Sequence, residues 1–251
     1  MRLHHLLVLF LSVLVLTTSC KDKEENVPTD EPAQLELHLL PFFQNDTLEL
    51  DSTVVLSNGF KMQVTDIKCY FYGLGNNGQQ LKQAVLYNYR EKGSQLLKVP
   101  GNYQDFPALS GYLGVTAPTN NADPSAFPNE SDLNITNAGD MHWGWNPGYI
   151  FIKFEAKADT IPDGNDVFNH LLVYHIGTNP YISSIQFPTM NWQSINSKLH
   201  RANLRLHVNA IFDNLVSPID IRSEYMTHSG SGTELLTEKF RFNFVQALQA
   251  Q

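Results

Sequence analysis

Tyr149-Ile150-Phe151-Ile152-Lys153-Phe154-Glu155 decides the fold class. Ile150, Ile152 and Phe154 fall on one side of an extended chain while Lys153 and Glu155 fall on the other, which is the pattern of a strand with one wet face. Outward from it the same grammar recurs. Leu35–Phe42, Thr47–Leu50, Lys61–Tyr72, Gln80–Tyr89, Tyr103–Val115, Tyr149–Ala156, Val167–Ile176, Ser183–Phe187 and Asn203–Phe212 read as strands, set off by Gly, Pro, Asn and Asp. Apolar parity changes between Val64 and Ile67, which predicts a bulge at Thr65-Asp66. Helix is expected mainly near the end, where Ser231-Gly232-Thr233-Glu234 has capping-box spacing and Leu236, Phe240, Phe244 and Leu248 recur every four residues. The expectation is an all-β, antiparallel, sandwich-like single domain over residues 34–251 with a C-terminal helix.

The N-terminus reads differently. Met1-Arg2-Leu3-His4-His5, an apolar run Leu6–Leu16 and Thr17-Thr18-Ser19 form a secretory signal over residues 1–19, too short to span a bilayer, which needs about 20 apolar residues. Cys20 directly after the small residues marks a lipoprotein, with lipid on its thiol. Residues 20–33, charged and punctuated by Pro28 and Pro32, have little to bury and read as a disordered tether. The acidic run in it resembles a lipoprotein surface-export signal. These features place the chain on an outer membrane, facing the periplasm or the cell surface. With Cys20 lipidated, Cys69 has no partner for a disulfide; it shares a strand face with Ile67 and Phe71 and reads as a buried thiol.

The formal charge is −8, and the signal carries one cation, Arg2, so the processed chain is more negative still. Nucleic acid and anionic lipid are therefore poor partners, and a metal ion or a cationic partner is easier to accommodate. No nucleophile elbow, phosphate loop, zincin or paired-cysteine motif occurs, so enzyme chemistry is not expected.

The densest feature is Asp140-Met141-His142-Trp143-Gly144-Trp145-Asn146-Pro147-Gly148-Tyr149, where two of the three tryptophans meet a histidine. Such a cluster suits a soft or borderline metal, since imidazole favours copper. Equally, the tryptophans pack on the core and His142 sits at a wet margin. Parity sorts the other histidines: His170 lies with Leu172, Tyr174 and Ile176, His175 with Leu171 and Val173, and either fits a core histidine. His207 alternates with Arg205 and Asn209 on a polar face and is the best isolated ligand candidate. The aperiodic stretch Ala117–Asp140 offers Asp123, Asn129, Glu130, Asp132 and Asp140 as oxygens for calcium, or as ordinary turn residues.

The order Val64-Thr65-Asp66-Ile67-Lys68-Cys69-Tyr70, Gly111-Tyr112-Leu113-Gly114-Val115, Asn121-Ala122-Asp123-Pro124-Ser125, Met141–Glu155 and Tyr174-His175-Ile176-Gly177 resembles the MbnP-like family, periplasmic or surface copper-binding proteins. Its most specific part is the Met-x-Trp-x-Trp-Asn-x-Gly-Tyr segment. The resemblance implies a β-sandwich-like copper-binding protein that partners a dihaem peroxidase of the MauG and cytochrome c peroxidase type. It further implies a tryptophan, Trp143 or Trp145, oxidised to kynurenine, with His142, His175 and His207 as copper ligand candidates; His175 matches the family's His-x-Gly segment. The rival expectation is a glycan- or nutrient-binding surface lipoprotein of an outer-membrane uptake system, with Trp143 or Trp145 as a flat platform.

Overall fold

A computed structural model describes residues 32–143, 148–161 and 163–251. The signal segment, Cys20 and the tether as far as residue 31 lie outside the described residues, and so does Trp145. Fourteen strands follow in chain order: β1 (Gln34–Phe43), β2 (Asp46–Thr47), β3 (Thr53–Val55), β4 (Lys61–Asn76), β5 (Gln79–Asn88), β6 (Gln95–Pro100), β7 (Leu109–Leu113), β8 (Ile150–Asp159), β9 (His170–Gly177), β10 (Ser183–Phe187), β11 (Gln193–Asn196), β12 (Leu199–His207), β13 (Met226–Thr227) and β14 (Leu248–Ala250). Two sheets form. The smaller runs β11-β12-β1-β2 with β6 and β14 attached, and the larger runs β10-β7-β4-β8-β9-β13 with β3 and β5 on β4.

Side chains from both sheets meet in one core. Leu35, Leu37 and Leu39 of β1 and Leu204 and Leu206 of β12 face Ile67, Cys69 and Phe71 of β4, Phe154 of β8 and Tyr174 and Ile176 of β9. Cys69 is fully buried, and burial pushes its thiol well above the ordinary value. The helix Glu234–Gln246 adds Phe240 and Phe244, and Phe240 stacks on Tyr174 at 4.2 Å with rings 10° apart. Such aromatic pairs add about 1 kcal/mol beyond the area they bury.

The all-β sandwich and the C-terminal helix are as the alternation predicts, and the bulge falls between Val64 and Asp66. Several boundaries differ; Val167–Ile176 begins as a strand only at His170, and Lys61–Tyr72 runs on to Asn76. Asn203–Phe212 does not stay extended, because Val208, Ile211 and Phe212 are buried at helical spacing in a short helix Val208–Phe212. Tyr103–Val115 is a strand only over Leu109–Leu113, since Asn102 caps a turn at Tyr103–Asp105. Thr47–Leu50 shrinks to Asp46–Thr47, and Leu248 begins β14 instead of closing the helix. Pairing is antiparallel except for β1 with β12 and β13 with β9, which run parallel.

On the outer side of the small sheet Glu36, 5% exposed, joins three strands. It accepts from Arg201 of β12 at 2.7 and 3.0 Å, and Lys98 of β6 lies 3.0 Å away. Burial alone would raise this carboxyl, but the hydrogen bonds from Arg201 and Lys98 outweigh it and hold the pKa at about 2. A depressed carboxyl stabilises the fold above the unfolded value of 4.5 and loses that contribution as pH falls towards 2. Glu36→Gln should therefore cost about 2 kcal/mol at pH 7, with the gap from wild type closing as urea melts are taken from pH 5 downward; a gap independent of pH would contradict it.

Candidate functional site

The outer side of the large sheet is a lattice of chemically different rows. Inward positions of β8 and β9 are Ile152, Phe154, Ala156, Leu172, Tyr174 and Ile176, so Lys153, Glu155, Val173, His175 and Gly177 point outward. Register sets Asp66 beside Glu155, Glu155 beside Val173, and Val173 beside Met226. One row on, Lys68 lies beside Lys153 and Lys153 beside His175. His228, two residues past Met226, completes that row: its ring lies 4.8 Å from the His175 ring, with planes 27° apart.

Lys153 is 8% exposed and sits among three carboxylates, with Nζ 2.7 Å from Asp140, 3.1 Å from Asp66 and 3.3 Å from Glu155. Burial disfavours its charge, but donation to Asp140 and Asp66 raises its pKa above the ordinary lysine value. Lys68 donates to Asp140 at 2.9 Å. Burial opposes the charge on Asp140, and the two lysines overcome it and lower its pKa. The Glu155 carboxyl is lowered chiefly by its hydrogen bond with His175, whose Nε2 lies 2.8 Å from Oε1. An ionised carboxylate only accepts, so the Glu155 contact needs a proton on Nε2, and in a neutral ring that arrangement leaves the Nδ1 lone pair for a metal. Burial, then the neighbouring His175, lowers the pKa of His228 and favours its neutral form.

Ser229 fixes the second imidazole. It accepts from the Gly177 amide at 3.0 Å and donates to the His175 carbonyl at 3.2 Å, with its own backbone at φ 54°. Thr227, one residue before His228, bonds Thr237 of the C-terminal helix at 2.6 Å. Beside the pair opens a cleft of about 410 Å³ lined by Tyr225, Met226, His228 and Ser231.

Residues 117–143 return over the same side of the sheet. Asp123 and Asn134 cap short turns at Pro124–Ala126 and Ile135–Ala138, which lets Leu133, Ala138, Met141 and Trp143 pack as a second core on Tyr70, Tyr149 and Phe151. Trp143 is 5% exposed and bonds Gly148 through its backbone amide at 3.1 Å. The six-membered edge of its indole covers Gly177, two residues along β9 from His175.

The ligand candidates do not converge as a set. His142 lies edge-on to Tyr149 at 5.1 Å, in the field of Asp123. His207 belongs to the other sheet, where its ring tilts against Phe42 at 6.2 Å. His175 alone stands at a paired position, and its partner is His228, which strand parity did not single out because the β13–β9 pairing is non-local. The loop oxygens are spread: Asp123 accepts from Ser125, Asp132 from Lys82, and Asp140 from the two lysines. Among the described residues no three His, Cys, Asp or Glu side chains gather as a metal cluster.

Gly177 is the position on which Trp143 depends. A Cβ there would fall 2.7 Å from both indole Cζ3 and the Tyr149 carbonyl oxygen, and the backbone oxygen has no room to retreat. Gly177→Ala should cost about 1–3 kcal/mol by overpacking and shift tryptophan emission to longer wavelength as the indole is levered outward; wild-type melting with unchanged emission would refute the contact.

A sequence model of the MbnP family matches residues 32–229. No curated protein matches this chain. Among solved structures, MbnP from Methylosinus trichosporium is similar with a TM-score of 0.45 and 14% sequence identity, covering 73% of this chain and 78% of that one. The family match takes in β1 to β13, the lysine row and His175 with His228, and the chain belongs to the MbnP family.

Proposed function

We propose that this chain is an envelope-anchored copper-binding protein whose metal site is the His175–His228 pair, acting as carrier and not as catalyst. The observation that carries the reading is the pair itself: two imidazoles in contact, one oriented by Glu155, beside a buried tryptophan. Imidazole donors fit copper, and Glu155 fixes the ring so that little ordering is needed on binding. The Lys153–Asp140 ion pair holds the loop that carries Trp143 in place. The electron-rich indole of Trp143, or of Trp145, is then the site at which a dihaem peroxidase partner would withdraw electrons and leave an oxidised residue. Lipid on Cys20 would keep the protein at the outer membrane, where such a partner is available. The glycan-binding alternative loses support at Trp143, whose buried edge offers no flat platform.

Protein isolated from its native envelope should retain stoichiometric copper after dialysis and show a mass gain on the peptide carrying Trp143 and Trp145. His175→Ala and His228→Ala should each weaken copper binding about tenfold or more. Retention of sugar but not copper, with unmodified tryptophan, would replace this reading with the glycan one. Metabolic labelling with palmitate should mark the chain and fail on Cys20→Ala.

A further inference from the structure

The chain as a whole has a formal charge of −8, yet the outer side of the small sheet is positive. In the parallel register of β1 with β12, Glu36 stands beside Arg201, Leu40 beside Arg205 and Phe42 beside His207. Alternation turns all six away from the core, which takes Leu37, Leu39, Leu204 and Leu206 from the same two strands. Lys98 of β6 joins the row at Glu36, so three cations stand here with one carboxylate, and Arg201 and Lys98 occupy it. Arg205 is left over. Of the five arginines among the described residues, Arg90, Arg201, Arg222 and Arg241 each have an ion pair, and Arg205 has none. Its guanidinium lies over the Phe42 ring, with Cζ 4.6 Å from the centroid, and its Nε is buried without an acceptor among the described residues. The same ring meets His207 at 6.2 Å. Burial, then the charge on Arg205, lowers the pKa of His207.

We propose that Arg205 receives a carboxylate from an acidic segment of a partner polypeptide, which docks in extended form along the outer side of β12. A guanidinium lying over an aromatic ring is held with its fork of N–H donors in one plane, and carboxylates match that fork bidentately. The spacing of the cations suits a peptide. Arg201 and Arg205 are four residues apart on one strand, about 13 Å, which is also the separation of side chains four residues apart in an extended segment lying beside it. Half-buried Leu40 and Phe42 offer such a segment apolar contact next to the charge, and Gln249 of β14, opposite Arg205, offers an amide. This surface belongs to the other sheet from the His175–His228 pair, so docking there leaves that edge open and is independent of the copper reading.

The test is fluorescence anisotropy of a labelled oligoglutamate peptide titrated with the full chain, on wild type, Arg205→Gln, Arg205→Lys and Arg222→Gln. Arg222 is the control, since it too lies over a ring, that of Phe60 at 5.1 Å, but is paired with Asp220. Arg205→Gln should weaken the peptide about tenfold or more, Arg205→Lys about threefold or more because the planar fork is lost, and Arg222→Gln less than about twofold. A second readout needs no variant: in wild type the His207 imidazole, followed by NMR, should titrate at higher pH with the peptide bound, because a carboxylate on Arg205 offsets the charge that lowers it. Equal weakening by Arg205→Gln and Arg222→Gln, or a His207 titration that the peptide leaves unmoved, would overturn the site. Free glutamate binding as tightly as the peptide would make the ligand a small carboxylate, and phosphatidylglycerol vesicles binding where the peptide does not would make it a lipid surface; either result overturns the docking of a polypeptide.

Discussion

The Lys153 ammonium holds the outer side of the large sheet together. Removing an ammonium and its partners from water costs several kcal/mol, and the cost is offset only when geometry and hydrogen bonding are good. Here one cation meets Asp66 from the neighbouring strand, Asp140 from the end of the long loop and Glu155 from its own strand. Each contact fixes something else. Asp140 lies one residue before Met141 and three before Trp143, so its anchorage sets where the loop re-enters the sheet. Glu155 is held where His175 can share its proton. The indole and the imidazole are thus placed by one buried charge, and they lie on the same strand, over Gly177 and at position 175.

The two sides of this sheet divide the labour. Inward, Phe154, Tyr174, Phe212 and Phe240 interlock with centroids 4.2 to 6.3 Å apart, and Cys69 is simply one more apolar filler with its thiol protonated. The stiffness of that core lets the outward residues of β8 and β9 keep their spacing without a disulfide. The C-terminal helix lies beyond the residues that the family model matches. Phe240 completes the core, and Thr237 reaches Thr227 on the two-residue strand just before His228.

What the sequence made legible was local. Alternation in Tyr149–Glu155 put Lys153 and Glu155 on one face and the core residues on the other, and the parity slip at Thr65-Asp66 located the bulge that turns Asp66 outward. The same argument set His175 on the face opposite His170. It failed where contacts are distant in sequence. His228 follows a two-residue strand and meets His175 through a parallel pairing that leaves no periodic trace. Parity was right for His207, which does lie on a polar face, but parity cannot say which of two sheets owns that face. The loop 117–140 was hard for another reason: its Asp and Asn residues serve turn backbones and lysines, while a few apolar side chains, Leu133 and Met141 among them, dictate where it packs.

The imidazole pair lies at a sheet edge and not inside the sandwich, which agrees with the carrier role proposed above. His175 stands on a strand paired on both sides, backed by the aromatic core. His228 follows an edge strand of two residues and is kept in place by the Ser229 and Thr227 hydroxyls. One imidazole is therefore rigid and the other tethered, next to an open cleft. Local opening is easiest where backbone pairing is sparse, so the tethered half could yield while the rigid half keeps its geometry. On the proposed reading, an ion held between such halves would have a route in and out that leaves the buried Lys153 cluster and the core undisturbed.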